Sequence, residues 1–90
     1  MLNIHRHRQF RRDAELARRR GKDMDKLRAL MALLMHEKPL PASYRDHALR
    51  GQWSGFREAH IESDWLLIYR VTGDAIIFAR TGTHSDLFGE

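Results

Sequence analysis

The chain has 90 residues, 42% of them hydrophobic and 31% charged, and no cysteine. That is enough for one domain around one core and too hydrophobic for a disordered chain. It excludes a disulfide framework and a thiolate metal site. The formal net charge of +4 is local in origin: residues 1–20 carry seven arginines against Asp13 and Glu15, and the remainder is close to neutral. Such a block is either a solvated helix face or a surface for nucleic acid or an acidic partner. No apolar run follows the first basic residues, and none approaches the ~20 residues of a membrane span. A cytosolic protein without membrane contact is expected.

Residues 2–5 are apolar enough for an edge strand. Over residues 7–20, Phe10, Ala14 and Ala17 fall on one face at helical spacing, and Gly21 stops the helix. Asp23 and Asp25 open a second helix, where negative charge suits the positive end of the dipole. It runs to residue 36 or 37. Its stripe of Met24, Leu27, Leu30, Met31, Leu34 and Met35 is that of a helix lying on a sheet, with the methionines as core filler. Pro39 and Pro41 end the helical half. After Tyr44 the pattern is extended. Gly51 and Gly55 mark a turn or bulge, and residues 56–61 and 65–71 read as strands. Leu66, Leu67, Ile68 and Tyr69 are apolar on both alternating faces, as in a central strand covered on both sides. Thr72-Gly73-Asp74 is a hairpin turn, and residues 75–80 return. The expected fold is α+β: one domain, residues 1–90, with a helical hairpin packed on a mainly antiparallel sheet of about four strands.

Pairing centred on Gly73 places Arg80 opposite Leu66 and residues 81–82 near Asp64 and Trp65. The turn at Glu62-Ser63 sets His60 beside Trp65, and His84 follows the last strand closely. His60, Asp64, Arg80 and His84 therefore converge on one end of the sheet. His47 lies beyond a glycine-rich turn, and pairing alone does not place it. Singly, each residue has a plain structural explanation, and Trp53, Trp65 and Tyr69 suit a core. His5, His7 and His36 lie on the helical side with no chemistry assigned.

Together the cluster suggests acid–base work. Cleavage of RNA by its own 2′-hydroxyl needs a base, an acid and a cation for the phosphate. Two histidines and an arginine supply these with no metal or cofactor. Three imidazoles and a carboxylate could also bind zinc. The one tight spacing, His60-x-x-x-Asp64, crosses a turn rather than one helix face, which argues against a metal.

The run Tyr44-x-Asp46-His47-x-Leu49-x-Gly51-x-Trp53-x-Gly55-x-Arg57-x-x-His60-x-x-x-Asp64-Trp65-x-Leu67-Ile68-Tyr69, followed by Arg80-Thr81-Gly82-Thr83-His84-x-x-Leu87-Phe88, resembles the YafQ toxins of the RelE/ParE superfamily. Lys22-Asp23-Met24 and the second helix extend the match. The resemblance implies a RelE-like fold and a ribosome-dependent, metal-independent mRNA endonuclease that cuts codons in the A site and so stops translation. It further implies a cognate antitoxin that holds the toxin inactive in a tight, hetero-oligomeric complex.

By the same resemblance His84 is the general acid and His47 the general base, with the two roles exchangeable. His60 and Asp64 hold substrate and transition state, Arg80 meets phosphate, and Phe88 positions a base or the nearby histidine. Trp65, beside Asp64 in the motif, joins the substrate-contacting set. Glu58 stands where some relatives carry aspartate and is given no catalytic role. The main alternative is a ParE-like toxin that inhibits a topoisomerase without nuclease activity, although such relatives would not be expected to keep the histidine set. A plain RNA-binding module is a further alternative.

Overall fold

The computed structural model describes residues 1–89. A short strand, β1 (Asn3–Arg6), precedes helices α1 (Arg8–Arg19) and α2 (Met24–Met35). The strands β2 (His47–Ala48), β3 (Arg57–Glu62), β4 (Trp65–Thr72) and β5 (Ala75–Gly82) follow, and helix α3 (His84–Phe88) closes the chain. Gly21 ends α1 at a φ of +82°, where a β-carbon would be strained. Asp23 caps α2 by accepting from the Asp25 amide at 3.1 Å.

The strand order is β1-β5-β4-β3-β2, with β1 parallel to β5 and the other pairs antiparallel. The α+β architecture is as expected, with five strands where about four were anticipated. The additional strand, β2, pairs only His47 with Glu58 and Ala48 with Arg57. Two residues are too short to show a period.

The register of β5 also departs from expectation. The hairpin turn is Gly73-Asp74, so Thr72 faces Ala75, and a bulge at Ala79 shifts the pairing by one more residue. Arg80 therefore faces Ile68, and Gly82 takes the place opposite Leu66. A second irregularity, between His60 and Glu62, sets His60 opposite Leu66 and Glu62 opposite Trp65.

Strand alternation divides the core into two layers. Phe10, Leu27, Leu30 and Leu34 of the helices bury Leu67, Tyr69, Ile76 and Phe78 on one face of the sheet. Leu66, Ile68, Ala79 and Leu87 form a smaller layer on the other, with Trp53, Phe56 and Phe88 packed against it. The central strand β4 is thus buried on both sides. Trp65 belongs to the helix-side layer: it is 1% exposed, and its indole N–H donates to Thr81 Oγ1 at 3.0 Å. This corrects its placement in the substrate-contacting set. Its residue type already favoured the core, where burying a large apolar side chain stabilises by about 1.5–3 kcal/mol.

Candidate active site

The two-residue period of β3 points Glu58 and His60 to one face. Their cross-strand partners Ile68 and Leu66 share that face, as does His47 opposite Glu58. It is the face away from α1 and α2. His84 arrives as the first residue of α3, whose start is set by a reciprocal capping box between Thr83 and Asp86. Leu87 anchors α3 in the smaller core layer. The ring centroids of His47 and His60 lie 6.0 Å apart, those of His60 and His84 5.9 Å, and those of His84 and Phe88 6.4 Å. Four rings thus form a row across one end of the sheet.

Close polar contacts engage one ring nitrogen of His84 and both of His47. His84 Nδ1 lies 2.6 Å from Asp64 Oδ1, which also accepts from the His84 amide at 2.8 Å. A carboxylate only accepts, so Nδ1 carries the proton and Nε2 is the atom left to exchange one. Those two bonds, the amide's first, hold the Asp64 carboxyl below its usual range. His47 Nδ1 faces the Arg45 carbonyl at 2.8 Å, and its Nε2 lies 2.9 Å from Glu58 Oε2.

Glu58 is only 5% exposed. Its Oε1 and the Nδ1 of His60 are buried without a hydrogen-bond partner among the described residues. Buried polar atoms are nearly always paired, so each of these calls for a water, an ion or a substrate atom as its partner.

Arg80 is brought to this end of the sheet, but its guanidinium is not in the histidine row. Nε and Nη2 lie 2.7 and 3.2 Å from the Asp13 carboxylate of α1. The Thr81 amide and Gln9 donate to the same carboxylate. Strand β1 pairs with β5 only as far as Phe78, which leaves the end of β5 open for Arg80 to reach α1. Arg80 also borders a shallow hollow of about 360 Å³ lined by Gln52, Trp53, Phe56 and Leu87, so part of it still faces the histidine side.

Residues 2–89 match the family model for the bacterial toxin of a type II toxin–antitoxin system, YafQ. The chain belongs to the YafQ family. It is 54% identical over 82 residues to the mRNA interferase toxin YafQ of Escherichia coli K12, covering 90% of this chain and 89% of that one. Against YafQ in the E. coli DinJ–YafQ complex the identity is 50% and the TM-score 0.93, over 99% of this chain and all of the other. A copper-bound mutant toxin from Helicobacter pylori is 38% identical with a TM-score of 0.93, over 98% of this chain and all of that one.

In this YafQ-family chain the structure draws together His47, His60, Asp64, His84 and Phe88, and leaves Trp65 and the Arg80 head outside. Glu58 is the residue that sequence reasoning passed over. The available clue was its spacing: two residues before His60 on one strand puts both on one face. Among the described residues, Glu58, His60 and His84 offer one ligand atom each within 4.8 Å of one another. Two imidazoles and a carboxylate, two of their atoms orphaned, fit a zinc or copper ion. No helix among the described residues is long and apolar enough to cross a membrane.

The α3 clamp carries a pH signature. The Arg20 guanidinium, followed by the Thr83 amide, holds the Asp86 carboxyl down at about 2. A depressed carboxyl contributes stability that is complete above its unfolded value near 4 and is lost as pH falls through its folded value. The Thr83 amide, which donates to Asp86 Oδ2 at 3.0 Å, is expected to shift in two-dimensional NMR between about pH 4 and pH 2. An amide that titrates only near neutrality would contradict the clamp.

Proposed function

We propose that this chain, an mRNA interferase of a type II toxin–antitoxin system, cuts mRNA in the ribosomal A site by 2′-hydroxyl attack on the adjacent phosphate. The observation that carries the reading is the row of three imidazoles, with His84 Nδ1 committed to Asp64 and His47 held between the Arg45 carbonyl and the Glu58 carboxylate. His47 takes the 2′-hydroxyl proton on Nε2 once that nitrogen, with its own proton passed to the Glu58 carboxylate it faces, is free to accept. The 2′-oxygen bonds to phosphorus, and the 5′-oxygen leaves with a proton from His84, which gives a cyclic phosphate and a free 5′-hydroxyl. Asp64 orients His84 by holding its Nδ1, as the aspartate of a catalytic triad does for its histidine.

His60 lies between the two and meets the phosphate as charge grows on it. The open edge of Arg80 contacts a neighbouring phosphate, and Phe88 stacks on a base. The arginines of residues 1–20 provide a surface for ribosomal RNA or for the acidic part of a cognate antitoxin. The chain works in the cytosol, with the antitoxin holding it in a tight hetero-oligomer until it is released.

One observation favours a second reading. Glu58, His60 and His84, with one ligand atom each within 4.8 Å of the others, are also a set that holds a divalent cation. Such an ion would supply Lewis acidity, and it would occupy atoms that the acid–base reading needs free. The two readings therefore exclude each other.

The test uses toxin stripped of transition metals by dialysis against a chelator and then added to translating ribosomes, with cut sites mapped by primer extension. Cleavage at codons on ribosomes, none on free mRNA, and slowing by added copper are expected. Activity that is lost on stripping and restored by metal would give the site to the ion. No cleavage in either state, with DNA supercoiling blocked instead, would favour the topoisomerase inhibitor.

A further inference from the structure

The placement of His47 raises a physical problem. It sits on a strand of two residues with two cross-strand partners. So short a strand fixes its own register weakly, and a slip of one residue would turn His47 to the opposite face. Something outside the strand must hold it.

The holding contacts lie on the other side of the sheet, one residue earlier. The Asp46 carboxylate accepts from Arg57 Nη2 at 2.8 Å and from Arg57 Nε at 3.1 Å. Its second oxygen accepts from the Tyr69 hydroxyl. Arg57 and Tyr69 face each other on β3 and β4, so Asp46 is tied to two strands of the sheet at once. Tyr69 is 3% exposed, a fixed point rather than a mobile surface ring. Burial, and after it the Asp46 carboxylate, push its phenol up, so the hydroxyl stays a donor. Arg45, just before, has a φ of +46°, a left-handed backbone that a residue with a β-carbon keeps only when its surroundings impose it. That bend turns the Arg45 carbonyl to within 2.8 Å of His47 Nδ1.

We propose that Asp46, Arg57 and Tyr69 form a register lock on the helix side of the sheet, positioning His47 on the reactive face with its Nδ1 held against the Arg45 carbonyl and its Nε2 against Glu58. These three are positioning residues, and their role rests on the reading of His47 as an acid–base group. The lock accounts for an ion pair and a buried phenol placed away from the histidine row. It also accounts for a strained arginine whose carbonyl holds the Nδ1 of His47.

The experiment follows the His47 ring nitrogens by ¹⁵N NMR, assigned with His47→Asn, alongside ribosome-bound mRNA cleavage. Tyr69→Phe keeps the ring in the core and deletes one hydroxyl, and Asp46→Asn removes the charge. Both variants are expected to change the His47 ring-nitrogen signals and to lower kcat between about tenfold and a hundredfold, the scale of misplacing a reacting group by an ångström. KM should move little. If the three residues act as a unit, the double variant loses no more than the worse single one. Asp46→Asn is the more disruptive change, and if it fails to fold then Tyr69→Phe decides alone. An unmoved His47, or a rate that falls only with the folded fraction, overturns the lock. Should wild type not cut mRNA, the ribonuclease reading falls and the histidine spectra alone decide the lock. Should wild type and Tyr69→Phe cut equally well, the lock falls and the ribonuclease reading stands.

Discussion

Replacing His84 by alanine is expected to lower ribosome-bound mRNA cleavage by about 10²- to 10⁴-fold, the range for losing a positioned general acid. The fold should survive. The His84 ring is 41% exposed and its Asp64 partner 61%, so the pair contributes at most about 1 kcal/mol. The backbone bond from residue 84 to Asp64 does not need the ring, and the capping box is made by Thr83 and Asp86. Equal melting temperatures with a collapsed rate would place the loss in chemistry. A rate within threefold of wild type would remove His84 from the mechanism.

The division of labour follows from the pH–rate profile. If His84 is the acid, weak rescue of its alanine variant should come from a substrate whose leaving group needs no proton, and the alkaline limb of the profile should disappear. His47→Ala should instead remove the acidic limb. Glu58→Gln keeps the shape but removes the charge facing His47 Nε2 at 2.9 Å, so it should resemble His47→Ala in profile and be milder in rate. If both histidine variants lose the same limb, one of the two is structural.

Much of this site was legible in the sequence because its spacing rules are local. The unbroken apolar run from Leu66 to Tyr69 can only be a strand covered on both faces, and that requires neighbours on each side. From one central strand, a hairpin turn and a preceding turn, His60, Asp64 and His84 fall at the same end whichever of two adjacent registers holds. That tolerance explains why a register error left the cluster intact.

Arg80 was less forgiving. Its backbone reached the predicted end of the sheet, but its head was taken by Asp13, 67 residues earlier, a contact without any local signature. Strand β2 was illegible for a related reason: two residues have no period, and what orders them is side-chain bonding from Asp46 to strands far along the chain. Glu58 differs again. Its place on the face of His60 is legible from the two-residue period of the strand alone, whereas variation among relatives at that position carries no information about the face it shares.

Removing the Asp13 carboxylate is expected to be the most damaging single change outside the apolar core. Asp13 is 8% exposed and accepts four hydrogen bonds, from Arg80 Nε and Nη2, from Gln9 and from the Thr81 amide. Asp13→Ala would leave a largely buried guanidinium and a buried amide without a partner, a loss in the class of 3–5 kcal/mol for breaking such a pair. The Arg80 side chain is 22% exposed and can turn partly to water, which points to the lower end, about 3 kcal/mol. At roughly 4–8 °C per kcal/mol for a chain of this size, the melting temperature should fall by more than 10 °C.

The double variant Asp13→Ala/Arg80→Ala should recover part of that loss, because no charge is then stranded. A double variant as unstable as the sum of the singles would mean that the pair is not coupled. The same cycle separates the two roles of Arg80. If its outer edge grips phosphate, Arg80→Ala should weaken binding to ribosome-bound mRNA and flatten its salt dependence by about one counterion. If its work is only to hold α1 to β5, binding per folded molecule and its salt slope should both stay where they are.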